Sequence, residues 1–203
     1  MIDLDDIRLY LPKYLSPETE GKLFTDLRGY PATIDARMYG FIGKSDSVLY
    51  QGDGLNAMPV TNLPSKEIKN LPCIVISNTC DINPESEKKY ATNVVYAPVA
   101  SVRKYRALLL ERQVYTEQQA EDHLRSIRQQ EIAPIFYLPE SQYMQEESIV
   151  FFDRVCNCEA SFIDREKLRG ARFFSLSEFG FYMFLIKLSI HFTRMQERVD
   201  RRY

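Results

Sequence analysis

From Phe179 to Ile190 almost every residue is apolar, and the run is broken only by Gly180, Lys187 and Ser189. Ser175-Leu176-Ser177-Glu178 in front of it supplies hydroxyl caps and an acidic first turn, the signature of a helix start. Phe181, Phe184, Leu185, Leu188, Phe192, Met195 and Val199 recur at three- and four-residue steps and form one helical stripe. Tyr182, Met183, Ile186 and Ile190 fall off that stripe, so the first half of the helix is apolar nearly all round. It falls short of the roughly 18 unbroken apolar residues of a membrane span. The rest of the fold must therefore enclose it. One face against a small sheet buries only a stripe, and leaving three such side chains wet forgoes roughly 1.5–3 kcal/mol each. The surplus is expected to meet the first 45 residues or another subunit.

Two short continuous apolar runs, Cys73-Ile74-Val75-Ile76 and Val94-Val95-Tyr96-Ala97-Pro98-Val99, read as strands buried on both faces. Residues 148–154 give a third strand, and β-rich pieces at 36–42 and 47–50 lead into the turn Gln51-Gly52-Asp53-Gly54. Residues 56–70 are polar, carry Pro59 and Pro64, and read as a long loop. Ser16-Pro17-Glu18 starts a helix over about 17–28, closed by Gly29 and Pro31. Thr116-Glu117-Gln118-Gln119 has the form of a capping box and opens an exposed helix to about Glu131.

A formal charge of −2 and a pI near 5.8 give no global signal for nucleic acid or for a membrane surface. The last 44 residues are mildly basic, nine cations against five carboxylates from Ala160 to Tyr203, which suits a solvated helix face. The acidic start MIDLDDIRLYLPKYL does not read as a secretory leader, so the expected compartment is the cytoplasm and the four cysteines are expected as free thiols.

Few residues suggest chemistry by themselves. Ser77-Asn78-Thr79-Cys80-Asp81 is either a turn whose side chains bond local backbone or a polar rim. Asp53 is either a turn former or an acid, and Asp153-Arg154 either an ion pair at a strand end or a functional charge. Cys73, Cys80, Cys156 and Cys158 lack zinc spacing, and His123 and His191 lie on helices where solvent or packing accounts for them. No metal and no cofactor is expected. Phosphate-binding, zinc-protease, dinucleotide and serine-hydrolase motifs are missing from the sequence.

An ordered set of segments carries a family resemblance. Gly52-Asp53, then Leu71-Pro72-Cys73-Ile74-Val75-Ile76-Ser77, then Val94-Val95-Tyr96-Ala97-Pro98-Val99-Ala100-Ser101 follow one another. Glu147 to Val155 and Ile163-Asp164-Arg165-Glu166-Lys167-Leu168 come next, ahead of the terminal helix. This succession resembles the MazF/PemK toxins over about residues 50–199, apart from an insertion at 103–140. The resemblance implies an α+β fold: a small SH3-like β-barrel with a long C-terminal helix, here with an N-terminal helical extension and a helical insertion in a single domain. It also implies a homodimer and metal-independent cleavage of single-stranded RNA. On that reading Thr79, Arg154 and Asp53 are the candidate catalytic residues. Lys69, Asn78, Arg103 and Lys104 are the candidates for binding RNA.

One departure cuts against activity. The family's main cationic residue opens the first of the two apolar strands, and Leu71 occupies that place. Losing an electrostatic stabiliser of the phosphorane typically costs ~10²–10³ in rate. Two functions follow: a toxin-like RNA-binding protein or endoribonuclease, or a barrel that has lost catalysis and binds an antitoxin or defence-complex protein. A basic, open groove beside Thr79 would favour the first, and an apolar or acidic one the second.

Overall fold

The computed structural model describes residues 35–40, 47–85, 90–113 and 115–193. The expected helix over 17–28 lies outside them. Seven antiparallel strands and five helices follow one another among the described residues: β1 (Asp53–Thr61), β2 (Ile68–Val75), α1 (Thr79–Ile82), β3 (Asn93–Ser101), α2 (Val102–Glu111), α3 (Glu117–Arg128), β4 (Ile135–Leu138), β5 (Ser148–Phe151), β6 (Cys156–Glu159), α4 (Leu168–Ala171), β7 (Arg172–Ser175) and α5 (Glu178–Thr193). The sheet runs β4-β5-β3-β2-β1-β7, with β6 also on β3.

β3 organises this sheet. Cys73, Ile74 and Val75 of β2 face Pro98, Ala97 and Tyr96 along one edge. Along the other edge β5 faces Val99–Ser101 and β6 faces Asn93–Tyr96. β5 and β6 thus pair with the same edge of β3 and are separated by the turn at residues 152–155. Asp153 and Arg154 lie in that turn, not on a strand.

The closed barrel is not formed among the described residues, because the end strands β4 and β7 do not pair with each other. Helix α5 takes the core they would have closed over. Phe184 meets Phe136 of β4 edge-on at 5.4 Å and Phe152 at 5.7 Å, and Phe174 of β7 joins the same cluster. Ser177 caps the helix, its hydroxyl accepting from the Gly180 amide at 3.1 Å. Gly180 is required by closeness: a Cβ there would stand 2.1 Å from the Met38 carbonyl oxygen. Segment 38–40 is held there by the bridge of Tyr39 to Leu176 and by the Ser177 amide on the Met38 carbonyl at 2.9 Å.

Part of the apolar surplus of α5 finds cover among the described residues of the chain itself. Phe192 is 59 % exposed and Phe179 and Phe181 are half-buried, whereas Tyr182, Met183, Phe184 and Ile186 are buried. Lys187, buried among them, donates to the Gln130 and Ile132 carbonyls at 2.7 and 2.8 Å, just beyond the C-terminal end of α3 where such oxygens lack helical partners.

The expected loop at 56–70 is instead the β1–β2 hairpin, with Thr61 opposite Ile68. A register shift between Leu55 and Met58 breaks the alternation of that strand, which hides it from a period-two reading. Residues 36–38 form a 3-10 turn in place of the expected strand, and 47–50 belong to no strand.

Candidate functional site

The turn before β1 sets the floor of the site. Gly52 sits at φ 88°, a conformation glycine adopts without strain, and its amide donates to the Val75 carbonyl at 2.9 Å. That turn buries Asp53, which is 1 % exposed. One carboxylate oxygen accepts from the Ser175 hydroxyl at 2.5 Å, and the other accepts from the Tyr50 amide at 2.9 Å. The second oxygen also lies 3.0 Å from Nε of Arg172, whose side chain is 2 % exposed. This last contact is an ion pair without an aligned hydrogen bond, and Arg172 also donates to the Val48 carbonyl. Burial pushes the Asp53 carboxyl up, and Ser175, Arg172 and the Tyr50 amide pull it back.

Thr79 opens α1 beside this pair. Its Oγ1 accepts from the Gln51 amide at 3.0 Å, and the Gln51 side chain donates from Nε2 to the Ile76 carbonyl at 2.7 Å. The end of β7 and the first turn of α5 complete a cavity of about 400 Å³, walled by Tyr50, Leu176 and Phe181 and by the polar groups of Gln51, Thr79, Ser175, Ser177 and Glu178, with Asp53 and Arg172 below.

Of the sequence candidates, the structure brings Asp53 and Thr79 into this one cavity. Asn78 serves as the cap of α1, accepting from the Cys80 amide at 2.9 Å, which is the turn reading of that segment. The four proposed cations are elsewhere. Lys69 lies on the exposed first half of β2, beside Glu67 at 3.2 Å. Arg103 in the first turn of α2 pairs with Glu146 at 3.4 Å, and Lys104 follows it on that exposed turn. Arg154 lays its guanidinium 3.9 Å from the centre of the Phe151 ring, with Asp153 at 4.0 Å. Leu71 faces Met58 on the hairpin and does not line the cavity.

Arg172 is the functional-looking residue that sequence reasoning missed. It supplies the only guanidinium among the lining residues, from β7 and not from β2. A signal existed in Arg172-Phe173-Phe174-Ser175, where an arginine inside an apolar run calls for a buried counter-charge. Its partner lies 119 positions away in the chain, so local pattern cannot name it.

As assembled, the site is poorly equipped for acid–base work on RNA. Both oxygens of Asp53 are engaged, and the charge of Arg172 is spent on Asp53. Thr79 has a hydroxyl proton to give, with no base among its hydrogen-bond partners. Among the described residues no group of three or more His, Cys, Asp or Glu side chains is arranged to hold a metal ion. No described helix is long and apolar enough to cross a membrane. No family model matches the sequence, and no curated protein does.

Proposed function

We propose that this chain is a MazF/PemK-like module of a prokaryotic toxin–antitoxin or defence system that binds a protein partner and has lost metal-independent RNA cleavage. On this reading the sheet is an SH3-like barrel opened by α5, and the protein works in the cytoplasm. One observation carries it. The cavity beside Thr79 contains a single cation, Arg172, buried and neutralised by Asp53, and Glu178 adds a further negative charge at the rim. A phosphate entering there meets no free cation among the lining residues. Cleavage of RNA needs charge stabilisation at the phosphorus, and phosphate contacts dominate affinity for RNA.

The opposing reading, an active ribonuclease, draws on Thr79 and Asp53 sharing the cavity with an arginine. Fluorescence polarisation with labelled single-stranded RNA at several salt concentrations separates the two. The module reading expects no binding below about 10 µM protein and no salt-dependent slope. Submicromolar binding that falls steeply with salt and is lost in Thr79→Ala would overturn it.

A further inference from the structure

The chemistry of the same cavity says what kind of group a partner offers it, and this inference rests on the module reading above. Glu178 stands at the rim, exposed, with no ion-pair or hydrogen-bond partner among the described residues. Inside, the charges of Asp53 and Arg172 cancel at 3.0 Å, so the charge left facing the opening is the Glu178 carboxylate.

The remaining polar groups both donate and accept, so they leave the charge preference of the opening to that carboxylate. The Gln51 side chain gives one N–H to the Ile76 carbonyl, which leaves its second N–H and its oxygen to spare. Thr79 keeps its hydroxyl proton, whereas Ser177 donates its proton to the Arg37 carbonyl and can only accept further. The start of α5 would by itself favour an anion, but the Ser177 hydroxyl already takes the Gly180 amide there, and the Glu178 carboxylate occupies the first turn.

The walls add a second preference. The ring of Tyr50 is 43 % exposed and Phe181 is half-buried, so an entering group meets aromatic surface on its way to the polar floor. Aromatic faces attract cations and cover aliphatic stems equally well. A volume of about 400 Å³ is at the small end of the ~300–1,000 Å³ typical of ligand pockets, which suits one long side chain and not a folded element.

We infer that this cavity receives an arginine or lysine side chain of the partner protein, its cationic head on Glu178 and its stem between Tyr50 and Phe181. Amide spectra of the labelled full chain test this, titrated with pentapeptides Ser-Gly-X-Gly-Ser in which X is arginine, lysine, norleucine or glutamate. Arginine and lysine peptides should shift the signals of residues 50–53 and 175–181. Norleucine, which keeps the stem without the charge, should bind about tenfold more weakly, the scale of one charge-assisted contact, and glutamate should not bind. Glu178→Gln should bring lysine down to the norleucine level, whereas Glu117→Gln, on exposed α3, should change nothing. Equal shifts from lysine and norleucine, a preference for glutamate, indifference to Glu178→Gln, or no shift from any peptide would each overturn the inference. A single-stranded RNA oligomer added to the same sample reads the other question: RNA shifts at Thr79 without lysine shifts would sink the module reading itself.

Discussion

Replacing Lys187 by methionine should change how stability depends on pH more than it changes stability at any one pH. The ammonium group is buried among apolar side chains of α5 and donates to the Gln130 and Ile132 carbonyls. Burial lowers its pKa from 10.5 to about 8. Between those values the unfolded chain binds a proton that the folded chain has released, so stability rises with pH across that window. At about 1.36 kcal/mol per pH unit the full difference is about 3 kcal/mol, of which about 2.5 kcal/mol is recovered between pH 7 and pH 10.

Methionine has no titrating group, and it leaves two carbonyls without a donor, a loss of about 1–3 kcal/mol that does not vary with pH. Burial also raises the pKa of Tyr39, Tyr96, Tyr137, Cys73 and Cys158, which lowers stability as the unfolded chain begins to lose those protons. These groups are common to both proteins and cancel in the comparison. Urea unfolding of wild type and Lys187→Met at pH 7, 8.5 and 10 is the assay. Wild-type stability minus variant stability should grow by about 2–3 kcal/mol from the lowest to the highest pH. A difference that stays flat or shrinks would show that Lys187 is not held in a charge-disfavouring site.

Three further outcomes follow from the packing. Gly180→Ala places a methyl 2.1 Å from the Met38 carbonyl oxygen and should lower stability by about 2–4 kcal/mol in denaturant titration, whereas Gly170→Ala, with nothing within 4 Å, should be nearly neutral. Asp53→Asn strands the Arg172 charge in the interior and should cost about 3–5 kcal/mol, much of it recovered in the Asp53→Asn, Arg172→Met double variant, as thermal unfolding would report. His123 shares a 3.0 Å hydrogen bond with the Tyr105 hydroxyl, and burial lowers its pKa; stability should therefore be lost as pH falls through 6.5 and below, and His123→Phe should flatten that limb in unfolding measured from pH 7.5 to 5.

What the sequence shows well is local. The capping box at Thr116 is formed in full, with the Gln119 side chain accepting from the Thr116 amide at 2.9 Å. The start of α5 at Ser177 and the buried strands around Ile74 and Tyr96 are equally legible, because a cap or an apolar run states its own structure. The misses share a different cause. The bulge after Leu55 destroys the alternation that marks a strand, and β4, inside the expected helical insertion, has only four residues, all buried. The site was half legible for the same reason. Thr79 and Asp53 stand in recognisable turns, but the Ser175 hydroxyl that holds Asp53 comes from 122 positions away and is fixed by the β1–β7 register. Fold position also decides charge: Arg103, Lys104 and Lys69 look available in the sequence, yet none lines the cavity.

On the reading proposed above, the cavity beside Thr79 does not cut RNA. The most direct test is a single-turnover assay of the purified chain, at micromolar protein in EDTA, against a pool of unstructured RNA whose new 5′ ends are sequenced. Wild type should show no cleavage above buffer, and therefore no difference from Thr79→Ala. Sequence-specific cleavage by the wild type that disappears in Thr79→Ala, with the variant still folded, would contradict that reading.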